Sequence, residues 1–186
     1  MIAAVLAGGA GRRMGGGKPA RRLAGRPLIE YPVSVLGEGC ERVVVVAKRD
    51  TELPPLPTER WHEPDEPQHP RTGIVAALER AGQPVLVCAA DMPFVTPEAF
   101  RTLLGSAAGA GATRAAVAIS GGVLQPLLGV YAPAALATLR DAPSDAPLTD
   151  SIEALDRVRV ALPAAVVRSI DTPDELEQAE RELGGA

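Results

Sequence analysis

Aromatic side chains are scarce in this chain: one tryptophan, two tyrosines and two phenylalanines make up 3% of 186 residues. With 46% hydrophobic content, the core must instead be packed on alanine, valine and leucine. Cysteine is as rare. Cys40 and Cys88 have no metal-ligand spacing, which leaves them as buried, reduced thiols of a cytoplasmic protein. There is no excess of positive charge; a formal net charge of −4 speaks against broad binding to nucleic acid or to a membrane surface. No apolar run reaches ~18 residues, the length a spanning helix needs, and no basic segment precedes the first apolar stretch as a signal peptide would require. The length suits one domain over residues 1–186, and no internal repeat is visible.

What is abundant is glycine, and it is concentrated near the start. Residues 1–7 (MIAAVLA) read as a short buried strand. Six glycines then fall in ten positions, Gly8, Gly9, Gly11, Gly15, Gly16 and Gly17, with Arg12, Arg13 and Lys18 among and after them. Such a loop can turn its N–H groups towards another molecule. Guanidinium and ammonium groups beside those N–H groups suit a triphosphate. Two common phosphate loops are excluded. A Walker A loop would place glycine at Arg12 and Ser or Thr at Pro19, and a dinucleotide fingerprint would place glycine at Met14.

Along the rest of the chain, strand and helix patterns alternate. A helical face (Leu28, Ile29, Val33, Leu36) follows Pro27 at a first helical position, with Pro32 kinking or restarting it. Residues 43–47 form a β-branched run typical of a strand covered on both faces. Residues 50–70 are proline-rich, acidic and too irregular for a regular element. A helix is expected over 73–81, a strand over 84–88, and a helix over 97–104 capped by Thr96. Strands are expected at 115–119 and 124–131 about the turn at 120–122, then helices at 133–140 and 148–155. Strands at 158–162 and 165–169 and a helix over 173–183 complete the order. This is an α/β chain, a three-layer α/β/α doubly wound sheet of mostly parallel strands, whose ligands sit beyond the carboxyl ends of the strands.

Asp91 follows an apolar strand directly, and Pro93 stops that strand continuing. A carboxylate held there suits magnesium, which prefers hard oxygen ligands completed by phosphate and water. Asp171 is a second carboxylate, one residue ahead of a helix start in which Thr172, Pro173 and Glu175 form a capping box. Ser169 is a polar neighbour. His62 and His69 lie in a loop and read as solvated rather than catalytic.

The pattern Leu-Ala-Gly-Gly-x-Gly-x-Arg-Met-Gly-Gly-(x)n-Lys resembles the signature of the nucleotidyltransferases related to nucleotide-sugar pyrophosphorylases. Within them, Arg13-Met14-Gly15-Gly16 looks most like the molybdenum cofactor guanylyltransferase family. Asp91-Met92-Pro93 is similar to the family's Asp-x-Pro metal motif, residues 169–176 to its Asn-x-Asn-Thr-Pro or Asp-x-Asp-Thr-Pro motif, and residues 69–73 to the loop that closes over the base. The resemblance implies a nucleotide-diphospho-sugar transferase-like fold. It also implies transfer of GMP from GTP to the phosphate of molybdopterin-bound molybdenum cofactor, with pyrophosphate released. By the same resemblance Leu6, Ala7, Gly8, Gly9 and Gly11 lie against the nucleotide, and Glu63 and Gly73 belong to the base-binding region. Arg13, Lys18 and Asp91 are the catalytic set, and Asp91 and Asp171 the Mg²⁺ ligands. GTP and the molybdenum cofactor are the implied partners, with transient contact to proteins that deliver or accept the cofactor.

Four departures bear on the choice of base and acceptor. The stretch from Met14 to Lys18 is one residue short and lacks an aspartate. Val46 stands where asparagine often ends the second strand. His69-Pro70-Arg71-Thr72-Gly73 replaces Gly-Pro-Leu-Ala-Gly, and Ser169 and Asp171 replace asparagines. The double glycine Gly8-Gly9 favours the guanylyl over the cytidylyl branch. A transferase with another base or acceptor (a cytidylyltransferase or a sugar-phosphate enzyme) and a non-catalytic nucleotide-binding protein remain as alternatives.

Overall fold

The computed structural model describes residues 1–9, 17–109 and 114–184. Strand β1 (Ile2–Leu6) comes first. After Lys18 a two-residue ladder joins β2 (Arg22–Leu23) to β3 (Arg26–Pro27), followed by α1 (Glu30–Gly37). Next come β4 (Arg42–Ala47), β5 (Glu59–His62), α2 (Pro70–Ala81), β6 (Val85–Ala89) and α3 (Pro97–Gly109). A hairpin of β7 (Ala115–Ser120) and β8 (Val123–Tyr131) follows, then α4 (Leu136–Asp141) and α5 (Leu148–Glu153). The chain closes with β9 (Arg157–Ala161), α6 (Ala164–Val167) and α7 (Pro173–Gly184).

The main sheet has the order β5-β4-β1-β6-β8-β7-β9. Only β8 is antiparallel to its neighbours β6 and β7; the remaining ladders are parallel. The central strands β1 and β6 are apolar throughout because helices cover both faces, and the two-residue period of a strand divides the inner strands between two cores. On one face Ala3, Val5, Val45, Leu86 and Cys88 meet Ile29, Val33 and Leu36 around α1 and Phe100 and Leu103 of α3. On the other, Ala4, Val44, Val46, Val85 and Val87 meet Ile74, Ala77 and Leu78 of α2, Leu139 of α4 and Ile152 of α5. These are the three expected layers. A third small cluster (Leu23, Leu28, Ile170, Ala179) docks α7 against the β2–β3 ladder. The β7–β8 turn uses Gly121 and Gly122, both at positive φ (55° and 82°), the backbone a two-residue hairpin needs.

The structure differs from sequence expectation at several places, each with a physical reason. Pro27 ends β3 instead of opening a helix, and α1 begins at Glu30. Pro32 then lies in the first turn, where N–H groups have no helical partner, so no kink is required. The acidic segment 50–70 contains a strand after all: β5 extends the sheet beside β4 with only Trp61 buried. Four residues with one inward side chain display no periodicity. Trp61 is held instead by Arg42 and Arg80 over its ring, and both guanidinium groups pair with Glu59. Residues 165–169 are not a strand. Pro163, which has no N–H to donate, introduces the short helix α6, which buries Val167 against the core. Cys88 is buried but Cys40 only half so, and both are free thiols. No helix among the described residues is long and apolar enough to cross a membrane.

Candidate active site

Beyond the carboxyl ends of β1, β4, β5 and β6 lies a cleft of about 1100 Å³. The rule for open parallel sheets places ligands there, and the volume exceeds what one small molecule fills. Leu6, Gly8, Gly9, Glu63, Gly73 and Asp91 all line it. Ala7 is buried behind them, its N–H donated to the Val46 carbonyl at 2.8 Å, which continues the β1–β4 ladder. Gly11 and Arg13 lie outside the described residues.

At the β6 end, three charged groups separated widely in sequence converge. Lys18 stands in a 3₁₀ turn (Lys18–Ala20) entered through Gly17 at φ 60°. Its Nζ is 2.5 Å from Asp91 Oδ2 and 2.6 Å from Asp171 Oδ1. Two backbone features bring the aspartates together. Ile170 N–H donates to the Asp91 carbonyl at 2.9 Å, tying the segment before α7 to the loop after β6. The capping box forms as expected: Thr172 Oγ1 accepts the Glu175 N–H (3.3 Å), and Glu175 Oε2 accepts the N–H groups of Thr172 (2.9 Å) and Asp171 (2.6 Å). Ser169 Oγ donates to Asp171 Oδ2 at 2.6 Å, so Asp171 presents its other oxygen to Lys18. Cap and functional carboxylate thus coexist on adjacent residues.

The environment tunes both partners. Burial pushes the Asp91 carboxyl up, and the Lys18 ammonium opposes it, leaving it above the ordinary carboxylate range. Burial acts to lower the Lys18 ammonium, but the facing carboxylates Asp91 and Asp171 outweigh it and hold it above its ordinary value. Lys18 thus faces two carboxylates, a pair that suits a cation. Their oxygens converge on a single positively charged point, as hard oxygen ligands would on magnesium. Among the described residues no three acidic, histidine or cysteine side chains gather as a metal cluster. Two carboxylates, with the remaining positions left to phosphate and water, form a donor set that magnesium ordinarily takes.

The β5 end of the cleft is built around Glu63. β4 and β1 lie between β5 and β6, about 14 Å at ordinary strand spacing. Glu63 is only 7% exposed and reaches back beneath the first glycine. A Cβ on Gly8 would lie 1.4 Å from Glu63 Oε1, and one on Gly73 would lie 3.2 Å from Oε2. The carboxylate in this position therefore occupies the space that both glycines leave open. Thr72 Oγ1 is 2.7 Å from both Glu63 Oε2 and the His69 carbonyl. Of these two acceptors the carboxylate is the stronger, so the single hydroxyl proton goes to Glu63. Burial pushes the Glu63 carboxyl up, partly offset by Thr72 and by the charge of Lys48.

Sequence reasoning missed two residues here: Lys48 and Gln68 line the cleft beside His69, the first residue of the segment matched to the base-closing loop. Lys48 donates to the carbonyls of Pro64 (3.3 Å) and Asp65, pinning the loop that follows Glu63. His69 is not solvated: it is half-buried, caps α2 through Nδ1 and contacts the Ala146 carbonyl through Nε2. A histidine immediately before proline at a helix start was the available signal. His62 is exposed, in keeping with its expected solvation.

Gly8 and Gly9 after β1, the glycine-packed Glu63, and Asp91 with the lysine that it shares with Asp171 now stand at one cleft, and residues 3–158 match the model of the MobA-like NTP transferase domain. The chain belongs to that family. Among MobA-like relatives, a probable molybdenum cofactor guanylyltransferase of Mycobacterium tuberculosis is 40% identical over 105 residues, 53% of this chain and 52% of that one. The chain thus spans about half the length of such curated relatives in the matched region. The molybdenum cofactor guanylyltransferase of Cereibacter sphaeroides is 37% identical over 138 residues, 68% and 66% of the two chains. The crystal structure of molybdopterin-guanine dinucleotide biosynthesis protein A from Archaeoglobus fulgidus superposes over 100% of both chains with a TM-score of 0.82 at 28% identity. The chain thus carries a MobA-like NTP transferase domain in the nucleotide-diphospho-sugar transferase-like α/β fold.

Proposed function

We propose that this chain, acting as one nucleotidyltransferase domain over residues 1–186, transfers GMP from GTP to the phosphate of molybdopterin-bound molybdenum cofactor. Pyrophosphate is released and the guanine dinucleotide cofactor is formed in the cytoplasm. The observation that carries this reading is that Asp91, joined to Asp171 through Lys18, lines the same cleft as the buried carboxylate of Glu63. Likeness to molybdenum cofactor guanylyltransferases supports it.

An acceptor phosphate oxygen attacks the α-phosphorus in line; one P–O bond forms as the bond to pyrophosphate breaks, and the leaving group takes the electron pair. The acceptor is ionised at neutral pH, so no side chain need remove a proton. Positioning and charge neutralisation supply the rate. Asp91 and Asp171 would hold Mg²⁺, which when bound neutralises phosphate charge. Lys18 leaves the carboxylates for the triphosphate, assisted by Arg13 and the N–H groups of the glycine loop. Leu6, Gly8 and Gly9 flank the nucleoside.

Guanine offers two adjacent donors, N1–H and N2–H₂, on the edge where adenine and cytosine place a ring acceptor. A carboxylate accepts from both donors, and Glu63 accordingly favours guanine. Glu63→Gln replaces one acceptor by a donor facing N1–H. GTP affinity should fall about 10- to 100-fold, the worth of a charged hydrogen bond, while ATP and CTP change less. Equal losses for all nucleotides would refute the base-reading role. Gly8→Ala should act through the same group, since its methyl displaces the carboxylate, and GTP affinity should fall at least about tenfold. Calorimetry that found full affinity would place Glu63 away from the nucleotide.

The deciding experiment is calorimetric titration of the protein with GTP, CTP, UTP, ATP and dTTP in Mg²⁺, followed by pyrophosphate release with molybdenum cofactor as acceptor. GTP preference and turnover are the expected results. CTP preference would assign the base change to Val46, the Arg71 loop and Asp171; binding of none would overturn the enzymatic reading.

A further inference from the structure

The first turn of α2 is tied to the neighbouring connection between α4 and α5 by a pair of residues that the resembled family does not use there. His69 Nδ1 accepts the Arg71 N–H at 3.1 Å, so the ring proton lies on Nε2 and is donated to the Ala146 carbonyl at 3.0 Å. Burial and the Arg71 charge both hold the imidazole below its ordinary pKa, in keeping with this neutral tautomer. The Arg71 side chain crosses to the same connection between α4 and α5. Nη1 donates to the Pro143 carbonyl (3.0 Å) and to Ser151 Oγ (3.2 Å), and Nη2 to the Ala142 carbonyl (2.8 Å). Arg71 is only 6% exposed, and these acceptors are neutral. An apolar side chain would fill that space without desolvating a charge. What the guanidinium adds is direction, because a planar fork fixes three acceptors in one orientation.

The inner side of the same turn holds Glu63. Thr72, next to Arg71, donates its hydroxyl proton to Glu63 Oε2, and Gly73 leaves the space that this oxygen takes. One turn of helix therefore carries the strap on its outer side and the glutamate's support on its inner side. We infer that Arg71 and His69 are positioning residues for base selection: by locking the first turn of α2 to residues 142–151, they fix Glu63 in the geometry that discriminates among nucleobases. This rests on the proposed reading of Glu63 as the base-recognising group.

The test compares wild type with Arg71→Met, Arg71→Lys and His69→Asn. Methionine keeps the volume and loses the donors; lysine can serve some of the acceptors without the fork; asparagine can still cap α2 but cannot reach Ala146. For Arg71→Met, KM for the preferred nucleotide should rise about tenfold, and its preference over the other bases should fall by a similar factor. kcat should stay within about twofold, because Lys18, Asp91 and Asp171 are untouched. Arg71→Lys and His69→Asn should fall between. In a Glu63→Ala background Arg71→Met should change base preference no further, since the group it positions is gone. Unchanged preference in folded Arg71→Met, or the same change with and without Glu63, would overturn the inference. Hydrogen exchange in nucleotide-free protein separates this from failure of the functional reading. Arg71→Met should speed exchange at Thr72, Gly73 and Ile74 whichever nucleotide binds, and unaltered exchange there overturns the strap even if GTP transfer is established.

Discussion

Asp91→Asn should lose about a thousandfold in kcat while retaining a cooperative unfolding transition. Asparagine keeps the shape of the side chain and removes the charge. The neutral amide neither neutralises Lys18 nor serves as a strong magnesium ligand, and loss of metal-borne charge stabilisation costs several kcal/mol of transition-state energy, about a decade of rate per 1.4 kcal/mol. The fold should tolerate the change. The Asp91 carbonyl, not its carboxylate, accepts the Ile170 N–H, so the backbone tie to the Asp171 segment survives. Burial already pushes the Asp91 carboxyl up, so the charge sits there at some cost to stability. Steady-state pyrophosphate release together with thermal unfolding checks both halves. Activity within tenfold of wild type would remove Asp91 from the reaction centre.

The second large effect falls on Lys18. Lys18→Met should raise KM for the nucleotide and lower kcat, with kcat/KM down by about 10²–10³, the usual loss when one preorganised charge stabiliser is deleted. Two linked consequences follow. With the ammonium gone, Asp91 and Asp171 lose the cation that both contact at 2.5–2.6 Å, so their mutual repulsion is unscreened. Affinity for Mg²⁺ in the absence of nucleotide should therefore rise, while affinity for the triphosphate falls. Titrating Mg²⁺ and nucleotide separately by calorimetry distinguishes them. A variant in which both affinities fall together would mean that Lys18 supports the aspartates only structurally and does not move to the phosphates.

Much of the site was legible because its parts are backbone features written in local sequence. A strand followed by a glycine loop and Lys18, an aspartate directly after an apolar strand, and Thr172-Pro173-Asp174-Glu175 with its capping box each depend on residues within a few positions of one another. The alternation of fully apolar strands with amphipathic segments likewise determined the three-layer α/β class, since strands covered on both faces have no polar side. The errors fell where local pattern carries little information. β5 has one inward side chain, residues 164–167 have strand-like composition after a proline that sets a helical turn, and α1 starts where the β2–β3 ladder lets it rather than at Pro27.

What only tertiary structure decided is which distant residues share a space, and why. Sequence placed Asp171 near a helix start; the bond from Ile170 N–H to the Asp91 carbonyl put it across from Lys18. Sequence offered Glu63 as one acid in an acidic loop; parallel pairing of β5 with β4 carried it beneath Gly8 and Gly73. His69 and Arg71 read as part of the base-closing loop, and became a buried strap only because the α4–α5 connection packs where their donors can reach. Helices, caps and turns are set by interactions a few residues apart, which the sequence by itself determined. The pairing of charges 73 to 153 positions apart is set by strand order and helix packing, and those exist only once the sheet has formed.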